Sequence, residues 1–211
     1  MEEGCFKHRG RPKAVIDTDL REMVLHVATR LFVQKGYGAT TTEEIAVCCK
    51  ISKQTLYRLF AGKAALFAAV IASKRPQWLD LHVPDDLPLQ TALEMIFRIN
   101  IAEEEDYERI KLLEMTLVER QRYPELQEIL QTSGSAPGHH ALAGWMQRQA
   151  DKNRIKLAGD ALNTAYLLTD MVFGSLLRRT IGEFEWRRGA AWRTHVSTAI
   201  EVFLHGVGQP I

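Results

Sequence analysis

The sequence predicts an all-α protein of about nine helices, a small head followed by a larger body. Three observations carry that expectation. Nearly every segment repeats its apolar residues with a helical period, and no run alternates as a strand would. Glycine and proline fall mostly between the periodic segments, at Gly36, Gly62, Pro76, Pro124 and the stretch from Gly134 to Gly138. Two segments between Thr41 and Phe60 are short and separated by a tight turn, so they need a neighbour to pack on.

The elements follow in order. Residues 1–16 are polar and basic and contain Gly10 and Pro12, which predicts a flexible arm. The first helix starts near Asp17 to Asp19, which are good capping types. Leu20, Val24, Val27 and Leu31, widened by Met23, Ala28 and Phe32, give it a core-facing stripe. Lys35-Gly36 ends it, because glycine tolerates a left-handed backbone. Thr41-Thr42-Glu43-Glu44 offers a capping box for a second helix at 42–49, burying Ile45, Ala46 and Cys49. Ser52 caps a third helix at 53–59, with Leu56 and Phe60 facing inward. A fourth runs from Lys63 to about Pro76. This head spans residues 17–75 and the body residues 76–211, the boundary marked by Pro76, Pro84 and Pro88. Body helices are expected at 89–104, 107–121, 124–132, 139–152, 159–181 and 188–206, with a loop at 133–138.

Composition narrows the function classes. Of 211 residues, 46% are hydrophobic and 25% charged, ordinary values for a soluble globular chain. No run approaches the roughly 20 apolar residues that cross a bilayer. The first residues lack a signal-peptide core. The chain reads as cytoplasmic, with no membrane partner. Three cysteines without framework spacing, Cys5, Cys48 and Cys49, argue against a disulfide scaffold. Residues 1–63 hold 11 Lys+Arg against 7 Asp+Glu, while the remainder holds 16 against 19. A positive head on a slightly negative body fits a partner that carries phosphates. No Ser/His/Asp arrangement, Gly-rich phosphate loop or HExxH is present, so no catalytic residue, cofactor or metal site is predicted.

The two short helices form a helix-turn-helix, the smallest unit that inserts a helix into the DNA major groove. The third helix presents Lys53, Gln54, Thr55, Tyr57 and Arg58. Glutamine bonds adenine in bidentate fashion, threonine meets a thymine methyl, and lysine reaches guanine or phosphate. Tyr57 offers a hydroxyl on a rigid arm, suited to a phosphate oxygen. Lys63 opens the next helix, where free amides and a positive charge hold an anion. Taken singly, each is equally a solvated surface residue.

Ala28, Leu31-Phe32, Gly36-Tyr37, Thr40-Thr41, Ile45-Ala46, Ile51-Ser52-Lys53, Thr55-Leu56-Tyr57, Phe60, Lys63 and Leu66-Phe67 occur in a dense order. That order resembles the N-terminal domain of the TetR family of transcriptional repressors, over about a quarter of the chain. The resemblance implies a DNA-binding head on a helical body, a homodimer, a palindromic double-stranded operator, and release by a small effector. It implies DNA contacts at Thr41, Lys53, Thr55, Tyr57 and Lys63. Thr42, Gln54 and Arg58 extend the same face, and Arg11 joins them from the arm. Arg9-Gly10-Arg11-Pro12 resembles the core of an AT-hook for narrow A·T-rich minor grooves. A basic tail that binds phosphates loosely is the equal alternative. Three departures stand out: Lys50 where the family has glycine in the tight turn, Leu59 where it often has Tyr or His, and Gln54 where glycine is frequent. A left-handed non-glycine residue is costly, so the turn at Lys50 is expected to be either slightly strained or differently shaped.

In the body, Met95, Phe97, Leu113, Leu117, Trp145, Tyr166, Met171 and Phe173 are candidate lining for a lipophilic-effector pocket, with ordinary core packing as the alternative for each. Glu119-Arg120-Gln121-Arg122-Tyr123-Pro124-Glu125-Leu126 is similar to the C-terminal domain of AcrR-like members. Leu168, Val172, Ser175, Leu176, Val196, Ile200 and Phe203 on the last two helices are expected at the dimer interface, with a fully intramolecular core as the alternative. Cys48-Cys49 invites a metal- or redox-sensor reading, but buried packing is the simpler one. An effector-independent activator or nucleoid-associated protein remains the rival function.

Overall fold

A computed structural model describes residues 13–74, 78–157, 159–174 and 189–207. The expected sites at Arg11, Ser175 and Leu176 lie outside these residues. The fold is all-α, 77% helical, with no strands among the described residues. Helices α1 (Lys13–Ala39), α2 (Thr42–Cys48), α3 (Lys53–Leu59) and α4 (Lys63–Lys74) form the head. The body holds α5 (Leu89–Ile96), α6 (Glu103–Glu119), α7 (Glu125–Ile129), a π-helical segment Leu130–Ser135, α8 (Ala136–Asp151), α9 (Ala161–Phe173) and α10 (Gly189–Val207). No single helix among the described residues is long and apolar enough to cross a membrane.

Several boundaries move for physical reasons. Helix α1 begins at Lys13, so residues 13–16 belong to it rather than to the arm; no glycine or proline interrupts Lys13 to Asp17. It breaks where expected, at Gly36, whose φ of 85° lies in the left-handed region. Met23, assigned to its core stripe, is exposed, while Val24, Ala28 and Phe32 are fully buried. Helix α5 stops at Ile96, not at 104, because Arg98 turns left-handed at φ 51°. Helix α6 starts at Glu103, earlier than expected, so that Glu103, Glu104, Glu105 and Asp106 fill its first turn and complement the helix dipole. The expected loop at 133–138 is helical. Pro137 sits in the first turn of α8, where its missing N–H has no partner to lose, and Gly134 carries the change of direction.

Two hydrophobic clusters result. One joins α1–α4 and also takes Leu112, Leu126 and Ile129 from the body. The other packs α5, α6, α8, α9 and α10 around Trp145, Met146 and Trp192. The proline-rich stretch is tied down at Asp85, which pairs with Lys152 at 3.0 Å and Arg148 at 3.6 Å on α8. Head and body thus share a core across the boundary placed at 75/76, because the body's own helices complete the head.

Candidate nucleic-acid interface and body cavity

The helix-turn-helix is set by local caps. Thr41 accepts from the Glu44 amide at 3.1 Å, which starts α2. The reciprocal half of the capping box is replaced: Glu44 pairs with Lys35 instead. Lys50 adopts φ 54°, so of the two outcomes left open the turn is left-handed, and its neighbour Ile51 bonds back to the Ala46 carbonyl at 3.0 Å. Ser52 accepts from the Thr55 amide at 3.0 Å and starts α3. Ile45, Ala46, Cys49 and Leu56 are buried beneath.

Lys53, Gln54, Tyr57 and Arg58 are exposed on α3. Thr55 is half-buried, its hydroxyl held 2.8 Å from that of Ser52. Thr42 lies 3.3 Å from the Tyr57 hydroxyl, so α2 braces the ring. Arg58 is engaged in a bidentate pair with Asp17 of α1, at 2.8 and 2.9 Å. Arg21 donates to the Leu59 carbonyl at 3.1 Å and covers the Phe60 ring, closing the end of α3. Residues 38 and 41 apart in sequence supply these contacts, which no local pattern announces.

Lys63 departs from its expected place. It is half-buried, 4.3 Å from the centre of the Tyr37 ring and 3.3 Å from the Gly38 carbonyl. Burial lowers its pKa, against the pull of Glu119 and Glu125. It therefore faces the head–body junction rather than an anion at the start of α4. Cys49 is buried and its thiol is pushed up, first by burial and then by Cys48. That is the reverse of a reactive thiolate.

The junction itself is built by the segment that closes α6. Glu119 accepts from the amides of Tyr37 at 3.1 Å and Gly38 at 2.7 Å. The Tyr37 hydroxyl donates to Glu125 at 3.1 Å, and its ring meets Tyr123 edge-on at 5.3 Å. Burial first, then the bond to Glu125, raises the Tyr37 pKa. Sequence reading marked Glu119 to Leu126 as a resemblance without a role. The Gly-Tyr-Gly that breaks α1 is the signal that something must approach its backbone there.

Above the junction lies a cavity of about 330 Å³ between α4, α6, α7, the π-helical segment, α8 and α9. Leu113, Leu117 and Phe173 line it. The other expected lining residues do not. Phe97 and Trp145 are buried in the body core, and Met95, Tyr166 and Met171 are exposed. Periodicity locates an apolar face but does not say whether that face is filled. The wall also holds Lys74, Arg109, Arg120, Gln127, Gln131 and His139, which apolar periodicity does not mark as lining. Arg109 is fully buried, salt-bridged to Asp106 at 2.7 Å and placed 5.0 and 5.2 Å from the ring centres of Trp78 and Trp192.

The expected dimer residues also move. Leu168, Val172, Val196 and Ile200 are fully buried and Phe203 nearly so, all inside one chain's own core. Helix α9 packs on α8, and α10 on α5, which consumes those faces. The outward apolar residues are Tyr166, Leu167, Met171 and Val202.

Comparison with known proteins agrees with this architecture. Residues 24–70 match the model of bacterial regulatory proteins of the tetR family. Residues 93–206, more than half of the chain, match the C-terminal domain of AefR-like transcriptional repressors. The chain is 32% identical over 82 residues to the regulator QacR of Staphylococcus aureus, covering 39% of this chain and 44% of that one. It is 42% identical over 65 residues to the repressor ComR of Escherichia coli, covering 31% and 29%. The aligned part thus spans less than half the length of these curated relatives. In structure, a TetR-family regulator of Mesorhizobium loti superposes with a TM-score of 0.74 at 24% identity, covering 92% of this chain and 98% of that one. The Flavonoid-responsive Regulator FrrA gives 0.62 at 22%, covering 92% and 100%. These relatives are regulators rather than enzymes. The chain therefore belongs to the TetR family of bacterial transcriptional regulators.

Proposed function

We propose that this regulator is a homodimeric repressor that binds a palindromic double-stranded operator and leaves it when a small lipophilic effector enters the body cavity. The observation that carries the reading is the α2–α3 pair: a left-handed Lys50 sets the turn, and Lys53, Gln54 and Tyr57 stand exposed on one side of a helix whose other side is buried. An exposed helix with donors and acceptors at its start is what major-groove readout requires. Gln54 is assigned to base reading, Lys53 to base or phosphate, and Tyr57 to phosphate. Thr41 acts through its cap, and Arg58 reaches phosphate on leaving Asp17. Lys63 is assigned to the junction rather than to DNA. Dimerisation is assigned to the outward face of α9 and α10, through Leu167, Met171 and Val202, because exposed apolar residues in a row favour a symmetric partner.

The route from cavity to head is the α6 end. Helix α6 contributes Leu113 and Leu117 to the cavity and Glu119 to the amides of α1. An effector that binds one position of α6 better than another biases the head accordingly. The name of ComR favours repression over activation. The test is selection of duplexes from a random pool by the purified protein, followed by gel-shift competition. A dyad-symmetric winner bound by a dimer is expected. No preference over random competitor would overturn the reading.

A further inference from the structure

The lining of the cavity has a charge pattern that the effector must match, and this inference rests on the cavity being the effector site. Arg109, Leu113, Leu117 and Arg120 follow spacings of four, four and three along α6, one continuous stripe on a helix. Arg109 and Arg120 are eleven residues apart in sequence, which at the α-helical rise separates them by about 16 Å along the axis. Between them the wall is Leu112, Leu113 and Leu117, with Phe173 opposite. The cavity is thus elongated along α6, with leucines in the middle and an arginine toward each end.

The two ends differ. At one, Arg109 is neutralised by Asp106, and the neighbouring Lys74 by Glu108 at 2.8 Å. At the other, where α6 passes into α7, Arg120 is half-buried and no carboxylate lies within ion-pair distance of it among the described residues. Gln127 of α7 and Gln131 of the π-helical segment also line the cavity and add amide groups. The lining contains no Asp or Glu among the described residues. A cationic ligand would find no carboxylate in that lining to pair with, and at this end it would meet Arg120. The Trp78 face that could hold a cation is already covered by the Arg109 guanidinium, 5.0 Å from the ring centre.

We infer that the effector is an elongated apolar monocarboxylate, its chain along the α6 leucines and its carboxylate on Arg120 with Gln127 and Gln131. Arginine pairs with a planar carboxylate through two parallel bonds, and a half-buried guanidinium without a carboxylate partner among the described residues is suited to that pairing.

Three probes of one length decide the matter: dodecanoate, dodecanamide and dodecylamine, titrated onto the full-length protein and followed by calorimetry. Dodecanoate is expected to bind at least about tenfold more tightly than the amide, with the amine weakest. In Arg120→Gln the acid-over-amide ratio falls to near one, while amide binding is unchanged. Gln127→Glu adds a carboxylate to a lining that has none among the described residues and is expected to weaken the acid selectively. The inference is overturned if the amine binds best, if the ratio survives Arg120→Gln, or if none of the three binds wild-type protein. Operator release is read separately by fluorescence anisotropy. Tight dodecanoate binding that leaves DNA bound supports the site and instead sinks the release mechanism proposed above.

Discussion

Glu119, the last residue of α6, accepts a 2.7 Å hydrogen bond from the amide of Gly38, at the end of α1. Its other oxygen takes the Tyr37 amide at 3.1 Å. One carboxylate from the body thus satisfies two backbone donors of the head that have left the helical ladder at Gly36. Residues 81 positions apart in sequence meet here, and the contact couples the wall of the cavity to the first helix of the DNA-binding head.

Glu119→Gln keeps the shape but turns an amide N–H₂ toward a backbone N–H. Leaving one such donor unpaired costs about 1–3 kcal/mol. Urea denaturation should show that loss, and effector-induced release from operator should be blunted. Wild-type stability together with full release would remove Glu119 from the transmission route.

Gly36→Ala should be more disruptive than its exposure suggests. The residue sits at φ 85°, and an added Cβ would fall 2.3 Å from a Glu119 carboxylate oxygen. The left-handed conformation alone costs a non-glycine residue about 1–2 kcal/mol. A melting temperature within a degree of wild type would show that the junction yields freely.

Alkaline pH should weaken the fold through Tyr37. Burial and the Glu125 bond raise its folded pKa above that of the unfolded chain, about 10. Its contribution is complete below that value and is lost as pH rises beyond it, because only the unfolded state releases the proton. Lys63 has the opposite sign: its lowered pKa makes stability rise with pH up to the unfolded lysine value. Comparing Tyr37→Phe with wild type isolates the tyrosine, and the variant should have the shallower alkaline limb in chemical denaturation. Parallel limbs would refute the assignment.

On α3, Gln54→Ala should relax discrimination at one operator base by about 1–3 kcal/mol while leaving non-specific affinity intact. Tyr57→Phe should weaken all duplexes alike. A competition binding matrix with single-base operator variants separates the two, and a uniform loss for Gln54→Ala would count against base reading.

Leu167 and Leu168 are sequence neighbours with opposite surroundings, 48% and 0% exposed. Leu167→Glu should yield a folded monomer by light scattering with unchanged helical circular dichroism. Leu168→Ala should instead cost about 2–5 kcal/mol of stability by opening a cavity in the body core. A dimer that persists in Leu167→Glu would move the interface elsewhere.

The sequence alone determined the all-α class, the N-caps Thr41 and Ser52 of α2 and α3 and the break at Gly36, because each depends on residues within one turn of each other. It also supplied the stripe of buried residues in the head and the family resemblance. Which apolar faces are filled, hollow or outward was decided only in three dimensions. Leu113 and Leu117 line a cavity while Phe97 and Trp145, equally apolar and equally periodic, sit in solid core. Lys63 turning to Tyr37, Arg58 pairing with Asp17, and Glu119 reaching Gly38 were likewise invisible along the chain. Helical periodicity states that a side is buried; the partner that buries it, and the space left between them, depend on how distant helices dock.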